Sequence, residues 1–138
     1  MFTAQLAERC GHLLGIDASE QAMAQARRRC ADLPQVVLQR LQLPDEFPAA
    51  TFDLITFCKV SCCLNLPDLA RAATLIAAAL PVGGQLLLAH WTPPVHNYPL
   101  TGDEVLKFFM QGTGPAGPWR RLTGQRHSQY RLDVLEKK

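Results

Sequence analysis

Three things are missing from this sequence, and each absence removes a class of function. The N-terminus has no charged leader followed by an apolar run, and no apolar stretch reaches the ~20 residues that a membrane-spanning helix needs. Neither a membrane nor the secretory route is expected, and the cytoplasm is the expected compartment. An excess of one charge is also missing: 14 Lys and Arg against 12 Asp and Glu leave a net charge of +2. With no basic stripe and no aromatic platform to track a phosphate backbone, nucleic acid is not an expected partner. Paired C-x-x-C spacing is the third absence. The cysteines number five, an odd count, and Cys10, Cys30, Cys58, Cys62 and Cys63 read as free thiols that pack as small hydrophobes. No metal is expected, and a redox or metal role remains open only for the Cys58, Cys62 and Cys63 cluster.

What is present is enough to build a core. The 138 residues are 48% hydrophobic and 19% charged, which suits one domain. Apolar runs of strand length alternate with helical periodicity, the pattern of an α/β fold with a parallel sheet. His12 to Ile16 reads as the first strand, and Ser19 caps a helix whose Met23, Ala26, Cys30 and Leu33 recur at helical spacing. "QVVLQ" (Gln35 to Gln39) and "FDLITF" (Phe52 to Phe57) are two more strands, with "LPDEFPAA" between them as a loop or a single turn. Asn65 starts a second helix with Leu66, Leu69, Ala73, Ile76 and Leu80 as its apolar stripe, ended by Pro81, Gly83 and Gly84. "GGQLLLAHW" is a near-continuous apolar strand, as expected when both faces are covered. After a proline-rich loop, Thr101 and Glu104 form a capping box for a helix running to about Met110. "WRRLTGQ" and "YRLDVLEK" close the chain as a hairpin, the second strand presenting Tyr130, Leu132 and Val134 on its apolar face.

Ligands of open α/β sheets sit at the carboxyl ends of the strands. The residues there are Asp17, Gln42 to Asp45, Cys58 to Cys63 and His90 to Tyr98. Asp17 is the sharpest signal. A carboxylate at the end of a strand accepts charge-assisted hydrogen bonds from both hydroxyls of a ribose, and its bland alternative is a cap for the helix that begins after it. A ribose acid lies ~20 residues after a glycine-rich turn, and counting back from Asp17 puts that turn before Met1. Gly112-Thr113-Gly114 is no substitute, because it follows a helix and runs into Pro115.

With these motifs in order, the chain resembles the class I S-adenosylmethionine-dependent methyltransferases. "LLGIDASEQAMAQAR", "FPAATFDLITF", "LPVGGQLLLAHW" and "YPLTGDEV" carry the likeness. The "HW…YPLTGDEV" stretch and the closing "YRLDVLEK" are similar to the small-molecule branch that includes the nodulation N-methyltransferases. The resemblance implies a Rossmann-like methyltransferase sheet with a C-terminal antiparallel hairpin, in one domain over residues 1–138. It also implies that the chain is N-terminally truncated. "FTAQLAERC" resembles the helix after the family's glycine loop, so the first, central strand is expected to lie upstream of Met1. Two unpaired edges then fall between the strand ending at Asp17 and the one starting at Phe52, and weaker cofactor binding follows.

By the same resemblance S-adenosyl-L-methionine is the cofactor. Asp17 binds its ribose, Ala18 flanks the adenine, Gln42 and Leu43 stand at the adenine edge, and Cys58 borders the rest of the cofactor. The family often has an acid where this chain has Gln42, and a glutamine still accepts through its carbonyl. Lys59, Cys62, Trp91 and Tyr98 stand where a small-molecule acceptor is expected, and Lys59 and Cys62 depart from the acid and aromatic residues of relatives. His90 and His96 are the candidate bases, since a neutral imidazole exists near pH 7. For His90 the bland alternative is a packed strand end, and for His96 an exposed loop. Two other readings stay open at this point: a non-catalytic binding module of the same fold, suggested by the missing glycine loop and Lys59, and a nicotinamide-dependent oxidoreductase, which also uses an acid after a strand. The sequence does not fix the oligomeric state.

Overall fold

The computed structural model describes residues 7–43, 45–58, 65–91, 102–111, 117–128 and 130–138. It divides into two compact units, Met1–Phe47 and Pro48–Lys138.

The first unit holds β1 (Leu13–Asp17), α1 (Glu20–Arg29) and β2 (Val36–Arg40). The strands pair in parallel, with Leu13 opposite Val36 and Asp17 opposite Arg40. Ser19 is the N-cap of α1, its hydroxyl accepting from the Ala22 amide at 3.2 Å, and Glu20 adds an acid to the first turn. The hydroxyl satisfies an amide that lacks a partner inside the helix, and the carboxylate interacts favourably with the helix dipole. The helix ends at Arg29 with Cys30 as its C-cap, so the apolar spacing that runs on to Leu33 is helical only as far as Cys30. The Leu33 amide instead closes a turn on the Cys30 carbonyl. Cys10 and Cys30 are free thiols, and Cys30 is buried as a small hydrophobe.

The second unit holds β3 (Leu54–Cys58), α2 (Leu66–Ala79), β4 (Gln85–Trp91), α3 (Gly102–Met110), β5 (Trp119–Arg126) and β6 (Tyr130–Lys137). Its sheet runs β3-β4-β6-β5, with β3 parallel to β4, and β6 antiparallel to both β4 and β5. Thus the described strands form two sheets, with β1 at the edge of one and β3 at the edge of the other. The C-terminal hairpin is present, as expected.

One face of the larger sheet is the core. Phe57, Leu88 and Asp133 stand opposite one another across three strands, as do Leu86 and Leu135. All five are buried. Phe109 of α3 packs edge-on against Phe57 and Trp119, with both ring centroids 6.4 Å away. Residues of opposite parity, Leu87 and Ala89, are half-buried, so β4 is fully covered on one face and partly on the other.

In β6 the alternation is inverted relative to the sequence reading. Tyr130 is exposed and Leu132 and Val134 are half-buried, whereas Asp133 and Leu135 are fully buried. The charge is tolerated because two arginines hold it: Arg131 Nε donates to Asp133 Oδ2 at 2.9 Å and Arg121 Nη2 to Oδ1 at 3.0 Å. Gly124, opposite Asp133, leaves room for that ion pair, since a Cβ there would run into the Arg121 guanidinium and lie 2.6 Å from Asp133 Oδ1.

The stripe expected for α2 holds at Leu69, Ile76 and Leu80, all buried, and departs from expectation at Leu66 and Ala73. Leu69, Ala72, Ile76 and Ala79 are buried, while Leu66 in the first turn is exposed. Asn65 caps the helix start as expected, accepting from the Asp68 amide at 3.0 Å. At the other end, Lys137 donates through Nζ to the carbonyls of Ala77 and Leu80, so β6 supplies the cation that the last turn of α2 lacks. The Thr101 half of the expected capping box before α3 lies outside the described residues. No described helix is long and apolar enough to cross a membrane.

Candidate active site

Each unit has its own set of strand tips. In the first, β1 ends at Asp17 and the chain turns through Ala18 into the Ser19 cap. Asp17 Oδ1 accepts from the Ser19 amide at 2.9 Å. The capping bond itself belongs to Ser19, and the Asp17 carboxylate braces the turn through one oxygen only. Among the described residues no donor reaches its second oxygen, which stays available to a ligand.

The tip of β2 lies beside it. The Leu41 amide donates to the Asp17 carbonyl at 3.1 Å, carrying the parallel ladder one residue past the strand ends. Gln42 and Glu46 are tied to each other, the Glu46 amide donating to the Gln42 carbonyl at 2.9 Å and the Gln42 amide to Glu46 Oε1 at 3.1 Å. Gln42 is exposed and Leu43 half-buried. The structure therefore brings Asp17, Ala18, Gln42 and Leu43 to one end of one small sheet.

In the second unit Cys58 ends β3, paired with Ala89, while His90 and Trp91 end β4 opposite Arg131 and Tyr130. These three share the carboxyl end of the parallel strand pair. Lys59, Cys62, His96 and Tyr98 lie outside the described residues. No group of three His, Cys, Asp or Glu able to hold a metal occurs among the described residues.

A groove of about 470 Å³ runs between α2 and α3, lined by Ala73, Ala77, Phe108, Phe109 and Trp119. It lies at the wrong end of the sheet for the chemistry: Trp119 pairs with Lys137, beside the start of β4 rather than its tip.

Two residues of the first unit were not singled out by the sequence. Arg40, opposite Asp17, turns back so that its Nε donates to the Ala18 carbonyl at 2.9 Å. Glu46 is the acid that accepts from the Gln42 amide. The signal for Arg40 is its register position, which only strand pairing supplies.

The comparisons with known proteins identify the family. The methyltransferase domain family matches residues 1–86. A candidate methyltransferase of known structure from Pseudomonas syringae shares 34% identity and a TM-score of 0.83, covering 98% of this chain and 79% of its own. The N-methyltransferase NodS from Bradyrhizobium japonicum WM9, solved with S-adenosyl-L-homocysteine, gives a TM-score of 0.84 at 18% identity, over 99% of this chain and 71% of its own. The magnesium protoporphyrin IX methyltransferase of Synechocystis PCC 6803 gives 0.75 at 11% identity, over 99% and 68%. No curated protein matches the chain in sequence. The methyl donor of the family is S-adenosylmethionine, which replaces the nicotinamide reading. With a Rossmann-like α/β fold, a carboxylate at the tip of β1 and a family profile across more than half its length, the chain belongs to the methyltransferase domain family and is an S-adenosylmethionine-dependent methyltransferase.

Proposed function

We propose that the acceptor is the nitrogen or oxygen of a small molecule, and that both units serve this one reaction as a single methyltransferase domain. The observation that carries the cofactor side is Asp17: its carboxylate stands at the carboxyl end of β1 with one oxygen braced by Ser19 and the other open. That donor set fits a ribose diol, and the aliphatic Ala18 and Leu43, with the Gln42 amide beside them, fit a flat base with polar edges. When bound, S-adenosylmethionine supplies a methyl group on a positively charged sulfur, open to in-line displacement.

The chain's own residues then have limited work. Asp17, Ala18, Gln42 and Leu43 hold the adenosine, and Cys58 borders the remainder of the cofactor. Lys59, Cys62, Trp91 and Tyr98 shape the acceptor's surroundings and keep water out, since alignment is most of what such a displacement needs. His90 or His96 takes the proton that a hydroxyl or a protonated amine must lose. The small-molecule acceptor is supported by the nearly balanced charge, which offers no track for a nucleic acid, and by the likeness to NodS. We place the protein in the cytoplasm on its free thiols, Cys10 and Cys30.

Calorimetric titration of the 138-residue protein with S-adenosylhomocysteine tests the reading. Micromolar binding is expected, weakened about ten- to hundredfold in Asp17→Asn through loss of charge-assisted bonds. A folded wild-type sample that gives no heat, or equal affinity in the variant, would overturn it.

A further inference from the structure

The sharpest contact that the cofactor reading leaves unused is that of Arg40. The residue is the direct partner of Asp17 across the parallel pair, and its guanidinium, though largely exposed, reaches back to the turn that follows Asp17. Nε donates to the carbonyl of Ala18, the residue that follows the carboxylate, and lies 3.9 Å from Glu20 Oε1. Glu20 stands at the first position of α1 and also pairs with Arg27 at 3.7 Å. The turn Asp17-Ala18-Ser19 is thereby held from two sides. The Asp17 carboxylate accepts from the Ser19 amide, and Arg40 ties the Ala18 carbonyl to the end of β2.

Stability does not account for this arrangement. The Arg40 and Glu20 side chains are 57% and 65% exposed, and ion pairs so open to water contribute little to folding. What the guanidinium does is fix one peptide plane, through a planar donor that a lysine does not offer. A ligand that binds a pre-ordered turn avoids the entropic cost of ordering it.

We propose that Arg40 is a positioning residue for the cofactor's adenosine: it clamps the Asp17-Ala18-Ser19 turn so that the Asp17 carboxylate is already oriented for the ribose. This rests on the reading of Asp17 given above. Arg40 touches the turn and not the reacting atoms, so its effect is on binding.

The test is a double-mutant cycle. S-adenosylhomocysteine is titrated into the 138-residue protein as wild type, Arg40→Gln, Arg40→Lys, Asp17→Asn and the Asp17→Asn/Arg40→Gln pair, with melting temperatures and amide exchange at Ala18 and Ser19 recorded on the free proteins. Arg40→Gln is expected to raise Kd about three- to tenfold. Its melting temperature stays at the wild-type value, and exchange at the two turn amides quickens. Arg40→Lys does not restore affinity, and in the Asp17→Asn background Arg40→Gln has no further effect. An unchanged Kd, an additive loss in that background, or unaltered exchange would overturn the clamp while leaving the ribose reading intact. Absence of binding by the wild type would overturn the ribose reading, and the clamp's purpose with it.

Discussion

β1 and β4, one from each unit, are similarly apolar strands and are packed very differently. "LLGI" in β1 is as hydrophobic as "LLLA" in β4, yet every residue of β1 is half-buried, whereas Leu86 and Leu88 of β4 are fully buried. The described buried residues of the first unit are Ala7, Met23 and Cys30. In the second, Leu69, Ile76, Val105, Phe109 and Leu135 are all inaccessible together with those of β4. The difference lies in neighbours rather than composition. β4 is paired on both sides and faces a helix that contributes an aromatic cluster, while among the described strands β1 is paired only with β2. The residues proposed to hold the adenosine thus belong to the thinly packed unit, and the larger apolar core belongs to the other. Ligand-binding regions are commonly drawn from the less stable parts of a fold.

Truncating one core residue in each unit tests this contrast most strongly. Phe109→Ala removes the ring that meets both Phe57 and Trp119 and is expected to cost about 3–5 kcal/mol in urea unfolding. Met23→Ala, under a thinner layer, is expected at the low end of such substitutions, about 2 kcal/mol. Equal costs would erase the distinction between the units.

Asp133→Ala comes next. It leaves Arg131, whose side chain is 15% exposed, without the carboxylate that binds it, and Arg121, 42% exposed, without its own bond. Breaking a buried pair by removing one partner costs about 3–5 kcal/mol, and the partial exposure of Arg121 places this case near 3. Chemical denaturation measures it. A loss below 1 kcal/mol would mean that water solvates the two arginines and that the inverted burial of β6 contributes no stability.

Most elements were legible in the sequence because local signals agree there. Ser19 and Asn65 cap the helices they were expected to cap, and every strand falls within two residues of its apolar run. Legibility failed where a long-range partner decides. The alternation in β6 marks Leu132 and Val134 as the inner face, but strand order places β6 between β4 and β5, and there the arginines of two strands allow Asp133 to be buried. The site divides in the same way. Asp17 is readable because an acid at a strand tip before a helix cap is a local pattern. Arg40 is not, because its bond to Ala18 spans 22 residues and exists only once β1 and β2 are in register.

The smallest effect expected lies at the junction of the two themes, where a local signal supports a ligand site. Ser19→Ala removes the hydroxyl that accepts from the Ala22 amide and is expected to cost about 1 kcal/mol of stability, the usual value for a lost N-cap. The Ser19 amide that braces Asp17 belongs to the backbone and survives the substitution. Affinity for S-adenosylhomocysteine should therefore fall far less than in Asp17→Asn, and less than in Arg40→Gln. Thermal melts combined with calorimetry separate the two quantities. If Ser19→Ala weakened binding as much as Arg40→Gln does, the turn would owe its order to the helix cap, and the first unit's thin packing would be offset from within α1 rather than from the tip of β2.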